Sequence, residues 1–224
     1  LWAIVWRPAS CLRLGSPQQV EEYLRPSCAG ERRGCYAITE PGAGSDPRQV
    51  RTSAVKRGEK YVINGEKWFV TSYDACDYMI VHTHLDGDPD KPTLFLVDKA
   101  QPGVRVKRYP KFTHTYVFEH AEVLFEDVEV DESRMLGAVG DGFELTKDWF
   151  IETRLEIAAR CVGAATRAAQ IATDWAAERE QFGRPIRDYQ GIEFMLADMA
   201  VDIMASKSLL YRVAWEADRE VNVK

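Results

Sequence analysis

Tyr36-Ala37-Ile38-Thr39-Glu40-Pro41-Gly42-Ala43-Gly44-Ser45-Asp46 is the stretch on which the interpretation of this chain depends. It begins as a run compatible with a β-strand and then breaks, because Pro41 fixes its own φ and disfavours helix at Glu40. The two glycines that follow can take positive φ and let the backbone approach a bulky ligand. The flanking hydroxyls of Thr39 and Ser45 can donate to carbonyl or phosphate oxygens. By itself the pattern fits either a binding loop or an ordinary Pro-Gly turn between strands.

The composition favours a globular protein that does not bind nucleic acid. The chain has 224 residues, of which 46% are hydrophobic, enough for one large or two small domains. Its net charge is -6 and its basic residues are scattered, which argues against a surface for polyanions. The apolar run at residues 1–6 is too short for a signal core or a membrane span, so neither is expected.

The cysteines indicate a reducing compartment. They are odd in number and contain no CxxC pair, which argues against a disulfide framework and against a zinc ribbon. Their positions are 11, 28, 35, 76 and 161. We therefore expect a cytoplasmic protein, or a mitochondrial matrix protein if the source is eukaryotic.

Residues before the loop predict a short surface helix. The segment 15–24 has Ser16 at the N-cap and Pro17 at the first helical position, and acidic residues follow in the first turns. We expect this helix to end before Pro26, since proline is poorly tolerated inside a helix.

Strand-like periodicity extends from Cys35 to about Val130. Asn64-Gly65 separates two such runs and predicts a hairpin, because a type I′ turn requires positive φ at both central residues. The alternation then places Trp68 and Val70 on one face, and Lys67, Phe69 and Thr71 on the other. The segment 85–92 is a polar loop, and the acidic run 119–132 is interpreted as a solvated strand edge.

Four histidines in the strand region raise the question of a metal site. His82 and His84 share a face of one strand, and His114 and His120 follow downstream. No Cys or carboxylate has ligand spacing beside them, so we expect solvent-facing strand histidines and no metal.

Helical periodicity follows the break at 137–142. One helix is predicted from Phe143 to about Arg179, where Phe182-Gly183-Arg184-Pro185 ends it because Gly183 suits an αL position and Pro185 cannot continue a helix. A second helix is predicted over residues 188–220, and two long helices with a short connection indicate an antiparallel bundle. Its apolar stripe consists of Ile192, Leu196, Met199, Ile203, Leu210 and Val213.

Three segments, in this order, resemble the flavin-binding signatures of acyl-CoA dehydrogenases. They are Tyr36 to Asp46, Asn64-Gly65-Glu66-Lys67-Trp68-Phe69-Val70-Thr71-Ser72, and Ala177-Glu178-Arg179-Glu180-Gln181-Phe182-Gly183 followed by Gln190. The resemblance runs from about Gly15 to the end. It implies an α+β fold, with a central antiparallel β-barrel or sandwich flanked by helical segments and the first part of an up-down helix bundle. The implied domains are the end of a helical domain (1–33), a middle β-domain (34–137) and a truncated C-terminal helical domain (138–224), so the chain is interpreted as a fragment.

The resemblance also implies a site for FAD. The residues expected to contact the cofactor are Tyr36, Ile38, Thr39, Gly44, Ser45, Phe69, Thr71, Arg179, Gln181, Phe182 and Gln190. Thr71 would direct its hydroxyl at flavin N5, and the last four would reach the FAD of a neighbouring subunit. Phe69 stands where many relatives carry a tryptophan, and Trp68 lies one position early. Ser45 and Arg154 are the residues expected to contact the CoA thioester.

No catalytic residue is identified in this chain. Most relatives carry the catalytic Glu far into the C-terminal helices, and a minority carry it directly before the arginine, where this chain has Thr153. A threonine cannot abstract an α-proton, and Glu152 is rotated by about 100° on a helix. We expect the base in the C-terminal part of the parent protein, and the fragment alone to be inactive.

The resemblance implies FAD-dependent α,β-dehydrogenation of an acyl-CoA, in fatty acid metabolism. It further implies an electron-transfer flavoprotein as acceptor, a homo-oligomer, and neither nucleic acid nor a membrane span. An acyl-CoA oxidase differs only in whether oxygen reaches the reduced flavin, and a non-catalytic binding module could reuse the same fold. The sequence leaves these alternatives open.

Overall fold

The structure is a computed structural model that describes residues 8–113 and 118–219. It divides into two compact units, Leu1–Trp149 and Phe150–Lys224. The first unit carries a β-sheet and the second consists mainly of helix, which confirms the α+β class. The apolar run at the N-terminus, His114 and the end of the last predicted helix lie outside the described residues.

The first helix begins as predicted but does not end before Pro26. Ser16 Oγ accepts from the Gln19 amide at 3.2 Å and Gln19 Oε1 accepts from the Ser16 amide at 3.0 Å, which forms a capping box. The helix has three consecutive parts: α1 (Pro17–Gln19), a π-helical turn (Val20–Leu24) and α2 (Arg25–Ala29). Pro26 cannot donate to the Glu22 carbonyl, which instead accepts from Arg32 Nη1 at 3.0 Å. The lost helical bond is replaced, so the helix continues.

An eight-stranded mixed sheet forms the first unit. Its strands are β1 (Gly34–Ala37), β2 (Ser53–Arg57), β3 (Lys60–Thr71), β4 (Tyr78–Leu85), β5 (Pro92–Asp98), β6 (Val104–Arg108), β7 (His120–Asp131) and β8 (Met135–Leu136). Their order is β6-β7-β3-β2-β4-β5-β8, and β1 also pairs with β4. β1 and β2 both run parallel to β4, so the prediction of a purely antiparallel sheet is wrong. Within the described residues β6 does not pair with β8, and the sheet is not a closed barrel.

Strand β4 is covered on both faces, which explains its continuous apolar run. Met79 and Val81 belong to a core cluster on one face of the strand, whereas Tyr78 and Ile80 belong to a second cluster on the other. The second cluster includes Leu145, near the start of helix α3 (Gly142–Glu178). Side chains at every position of this strand except the last are therefore buried.

Asn64-Gly65 does not form the predicted hairpin, because both residues lie inside the continuous strand β3. The reversal between β2 and β3 occurs at Gly58 instead, where φ is 64°. At Asn64 the pairing of β3 with β7 shifts register. The Asn64 side chain exchanges hydrogen bonds with Asp127, of 2.9 Å to its backbone amide and 3.1 Å to its carboxylate. Asn64 thus stabilises a β-bulge between β3 and β7 instead of forming a turn.

The acidic run is not a sheet edge. Strand β7 lies between β6 and β3. Its Glu122 is only 1% exposed and accepts from Arg108 Nη2 at 2.6 Å. The prediction failed because a strand edge cannot be recognised without knowing the neighbouring strands.

Two long helices follow the sheet, and only the start of the first one, up to Trp149, belongs to the first unit. The elements after the sheet are α3 (Gly142–Glu178), β9 (Glu180–Gln181), β10 (Arg184–Pro185) and α4 (Gln190–Ala217). Gly183 is left-handed as predicted, with φ 80°, but it stands with Phe182, at φ 53°, in the turn between β9 and β10 rather than at a helix end. All six residues of the predicted stripe on α4 are half-buried. The existence and approximate bounds of both helices are confirmed.

Gly65→Ala should destabilise the fold by about 1–3 kcal/mol, the usual cost of overpacking. A Cβ at this position would lie 2.7 Å from Thr52 Cα, which is backbone and cannot move aside. Gly42→Ala is the matched control, because a Cβ there has no neighbour within 4 Å, and its effect should stay within about 0.5 kcal/mol. Urea unfolding of both variants measures the difference, and equal stabilities would contradict the predicted close contact.

Candidate functional site

The loop after β1 is a tight turn with an open outer side. Glu40 and Ala43 exchange backbone hydrogen bonds of 2.9 and 3.1 Å across Pro41-Gly42. Neither Gly42 nor Gly44 has positive φ, so neither uses the left-handed conformation that glycine permits. A Cβ at either position would also meet no atom within 4 Å. In the described structure neither backbone conformation nor packing requires a glycine at these two positions. The open side of the loop therefore leaves space for a ligand.

The Glu40 carboxylate fixes this loop from beneath. Its Oε1 accepts from the Thr52 amide at 2.9 Å, from the Thr52 hydroxyl at 2.6 Å and from Lys67 Nζ at 2.8 Å. Its Oε2 accepts from the Arg51 amide at 2.6 Å. Since Arg51 and Thr52 precede β2 and Lys67 lies in β3, one side chain ties the loop to two strands.

Lys67 is the buried cation of this pair. Its side chain has no solvent exposure, and besides Glu40 it donates to the Ile38 carbonyl at 2.9 Å. Burial lowers the pKa of Lys67 to about 8, although Glu40 opposes the shift. Burial raises the pKa of Glu40, but Lys67, Thr52 and the Arg51 amide outweigh it and hold that pKa below its ordinary value. Strand alternation alone places Lys67 on the face of Phe69 and Thr71, so the sequence does not reveal this pair.

A second bulge in β3 turns Phe69 outward. The register with β7 shifts between Lys67 and Val70, both of which are buried, so the predicted division of this strand into faces is wrong for Lys67. Phe69 has φ 54°, which is uncommon for a bulky residue, and the residue is 45% exposed. The Trp68 amide donates to the Thr39 carbonyl at 2.7 Å, which joins this bulge to the loop. Strained backbone of this kind clusters at functional sites.

Thr71 and two further rings lie beside Phe69. Phe112 contacts Phe69 edge-to-face at a centroid distance of 6.0 Å and contacts His120 in the same way at 4.9 Å. The His120 Nδ1 lies 2.9 Å from Thr71 Oγ1. Phe69 and Thr71 are thus brought together as predicted, but His120 and Phe112 were not expected there.

Tyr36 is engaged inside the first unit. Its ring stacks on Trp149 with centroids 4.1 Å apart, and its hydroxyl lies 3.0 Å from Cys11 Sγ. Burial raises its pKa well above the ordinary value, and Cys11 adds to the shift. Ile38 and Thr39 are half-buried next to it, whereas Gly44 and Ser45 are exposed.

The paired histidines of β4 are buried, so the expectation that they face solvent is wrong. His82 is fully buried and His84 is 3% exposed, with ring centroids 6.1 Å apart. His82 Nδ1 lies 3.3 Å from Thr146 Oγ1, and neither Nε2 has a hydrogen-bond partner within the described residues. Burial lowers the pKa of both imidazoles, that of His82 to about 3, and Lys67 lowers both further. The uninterrupted apolar run before them was the signal for their burial.

The described ranges contain no group of three or more His, Cys, Asp or Glu side chains arranged to hold a metal ion. No cysteine in these ranges forms a disulfide, and Cys11, Cys35 and Cys76 are buried. Among the described helices, none is long and apolar enough to cross a membrane.

The remaining predicted site residues lie in the second unit. Arg154 is exposed on α3, with its guanidinium 5.9 Å from the centroid of Phe150, and Thr153 is half-buried. Phe182 is 94% exposed at the turn of the β9–β10 hairpin. The other members of this group, all exposed, are Arg179, Gln181 and Gln190.

Comparisons with known proteins give one family. Residues 35–128 match the family model described as acyl-CoA dehydrogenase, middle domain, and residues 140–223 match that of the C-terminal domain. An acyl-CoA dehydrogenase of Bacillus subtilis is 37% identical over 94% of this chain and 56% of its own length. The CarC subunit of the caffeyl-CoA reductase-Etf complex of Acetobacterium woodii is 35% identical over 93% of this chain and 55% of its own. The solved structure of butyryl-CoA dehydrogenase from Megasphaera elsdenii has a TM-score of 0.88 and 31% identity, and the match covers 93% of this chain and 56% of that chain. The chain spans about half the length of these relatives.

Glu40→Gln should destabilise the first unit by about 3–5 kcal/mol, because it leaves the Lys67 ammonium buried without its counter-charge. Glu40→Gln combined with Lys67→Met should cost less than the sum of the single changes, since the double variant buries no unpaired charge. Urea unfolding of the three variants measures the coupling. Lys60→Met, which breaks the exposed ion pair with Glu129, is the control and should have little effect. If the double variant lost as much stability as the sum of the two single variants, the proposed coupling between Glu40 and Lys67 would be wrong.

Acidification should destabilise the fold through His82. Below about pH 6.5 the unfolded chain binds a proton at this residue, whereas the folded chain does not until about pH 3. The free energy of unfolding should therefore fall as the pH decreases through this window, by up to about 1.4 kcal/mol per pH unit from this group. His82→Gln should make the slope shallower, and Thr146→Val, which removes the hydrogen bond but keeps the imidazole, should retain it. Equal slopes in wild type and His82→Gln would refute the assignment.

Proposed function

The chain belongs to the acyl-CoA dehydrogenase family, and on that premise we propose that its parent protein catalyses FAD-dependent α,β-dehydrogenation of an acyl-CoA thioester. One observation carries the proposal. A glycine loop with an open outer side is locked by the buried Glu40–Lys67 pair, and the adjacent bulge presents Phe69 outward beside the Thr71 hydroxyl. We propose the same three domains as the sequence predicts: the end of a helical domain (1–33), a middle β-domain (34–137) and a truncated C-terminal helical domain (138–224).

The residues present fit a flavin. The bare backbone around Gly44 admits a bulky group, Phe69 offers an exposed aromatic face, and Thr71 offers a hydroxyl. A flat, apolar ring system with a polar rim is the kind of ligand that these groups suit. When bound, the flavin supplies the acceptor for the β-hydride of the thioester.

In the first unit we assign each residue a part in holding that group. Ile38 and Thr39 contribute the two residues that follow the end of β1, and their carbonyls accept from Lys67 Nζ and from the Trp68 amide, respectively. Tyr36 lines the same end through its ring rather than its hydroxyl, because the hydroxyl is engaged by Cys11. Thr71 donates a hydrogen bond where charge develops during reduction.

Ser45 and Arg154 are proposed to contact the CoA thioester. The exposed Ser45 hydroxyl can donate to a phosphate oxygen, and the exposed Arg154 guanidinium can pair with one. No residue in the described ranges is assigned as the base. Thr153 stands at a position where some relatives carry it, but its hydroxyl is too weak a base to remove an α-proton.

A homo-oligomer is part of the proposal. Phe182 is almost fully exposed on a two-residue turn, and Arg179, Gln181 and Gln190 are exposed beside it in sequence. Burial of the exposed Phe182 ring against a partner subunit would be favourable, because it removes apolar surface from water. The planar guanidinium of Arg179 can donate two hydrogen bonds to a diphosphate. We assign these four residues to the FAD of a neighbouring subunit.

The proposed electron acceptor is an electron-transfer flavoprotein, supported by similarity to a subunit named as part of an Etf complex. Acyl-CoA oxidase activity stays the alternative. Reduced flavin that persists in air favours the dehydrogenase, and rapid reoxidation with peroxide formation favours the oxidase. A protein that binds FAD and acyl-CoA without bleaching would be a non-catalytic module.

Gly44→Val should weaken FAD binding about tenfold or more, because the new side chain occupies the space assigned to the ligand. Titration of the purified chain with FAD, followed by quenching of flavin fluorescence, measures the dissociation constant. Unfolding stability should stay within about 0.5 kcal/mol of wild type, since the site is open.

Gly163→Val is the control for that substitution. Gly163 is exposed on α3 with no atom near its Cβ position and lies outside the proposed site, so its FAD affinity should match wild type. Unchanged affinity in Gly44→Val would remove the loop from the flavin site. Absence of FAD binding by the wild-type chain and by the intact parent protein would overturn the proposed function.

A further inference from the structure

Thr71 and His120 form a hydrogen bond whose donor depends on what else the Thr71 hydroxyl contacts. The two residues are register partners on β3 and β7, and Thr71 Oγ1 lies 2.9 Å from His120 Nδ1. The same hydroxyl lies 3.3 Å from the Phe69 carbonyl, in a geometry in which it donates to that oxygen.

A hydroxyl has one proton and two lone pairs. Thr71 can donate to the Phe69 carbonyl and also bond to His120 only if the imidazole is the donor. Keeping both contacts places the proton of His120 on Nδ1. If Nδ1 instead accepted the hydroxyl proton, the Phe69 carbonyl would lose this donor.

The imidazole is held in place for this role. The Phe112 ring meets it edge-to-face at 4.9 Å and also meets Phe69 at 6.0 Å. The ring orientation of His120 is thereby tied to the same bulge that turns Phe69 outward. A ring fixed on one side by packing keeps its Nδ1 directed at Thr71.

The hydroxyl proton itself is weakly held. An O–H···O bond is usually 2.5–3.0 Å long, and the 3.3 Å contact to the Phe69 carbonyl is longer. A better acceptor placed beside Thr71 would take this proton without disturbing His120.

We propose that His120 is a positioning residue that donates from Nδ1 to Thr71 and so reserves the Thr71 hydroxyl proton for a bound flavin. The inference rests on the proposed function, because Thr71 is the residue assigned to the flavin. A plain strand pair that only stabilises the sheet is the competing explanation. The two differ in whether the effect of His120 on the flavin passes through the Thr71 hydroxyl.

A double-mutant cycle separates them. His120→Phe keeps a ring against Phe112 but removes the donor, and it should weaken FAD binding by roughly three- to tenfold, the range of one neutral hydrogen bond. His120→Asn places an amide near the former Nδ1 and should restore most of the affinity. In a Thr71→Val background, His120→Phe should have no further effect, because the hydroxyl through which it acts is absent.

The readouts are the FAD dissociation constant and the reduction potential of the bound flavin in the intact parent protein. Equal effects of His120→Phe with and without the Thr71 hydroxyl would overturn the proposal, as would failure of His120→Asn to restore affinity. If His120→Phe does not fold, His120→Leu, which also removes the donor, takes its place in both backgrounds.

A measurement without flavin tests the proton assignment by itself. In ¹⁵N-histidine-labelled chain, the His120 ring nitrogens should show protonation at Nδ1, and Thr71→Val should shift the Nδ1 signal. Protonation at Nε2 alone would refute the inference and leave the proposed function intact. Loss of FAD binding in every variant and in wild type, with the Nδ1 assignment correct, would instead refute the proposed function.

Discussion

A buried ion pair between Glu40 and Lys67 is the interaction on which the candidate site depends. Glu40 collects four hydrogen bonds, from Lys67, from the Thr52 hydroxyl and from the amides of Arg51 and Thr52. A buried pair of this kind adds little net stability, because both charges are removed from water. Its contribution is geometric, since it ties the loop after β1 to the entry of β2 and to the middle of β3.

This attachment permits strain next to the loop. Phe69 occupies left-handed backbone at φ 54°, which costs of the order of 1–3 kcal/mol for a residue with a large side chain. Lys67 and Val70 are fully buried on either side, and the Trp68 amide is bonded to the Thr39 carbonyl, so the chain between them has little freedom to relax. The bulge places an aromatic ring and the Thr71 hydroxyl at the same edge as the open glycine loop. An exposed ring held in strained backbone is poorly explained by folding stability and well explained by a ligand.

The sequence predicted local structure wherever the signal lies in neighbouring residues. The Ser16 capping box, the strands through Tyr78 and Leu94, and the left-handed Gly183 follow from short-range chemistry. The Asn64-Gly65 hairpin failed because Asn64 pairs with Asp127, 63 residues away, and that contact converts a turn signal into a bulge. Pro26 failed as a helix end for the same kind of reason, since Arg32 satisfies the carbonyl that the proline leaves without a donor.

By itself the sequence determined the family, through three motifs in a fixed order, and the succession of strands followed by helices, through periodicity. Only the tertiary structure decided which polar side chains are internal. Lys67, His82 and Glu122 read as surface residues in the chain but are buried, because strands distant in sequence cover them or supply their partners. It also decided that Thr71 meets His120 and that β1 and β2 run parallel to β4. The physical reason is that backbone propensity acts over a few residues, whereas burial, ion pairing and strand register depend on segments that meet only in the folded chain.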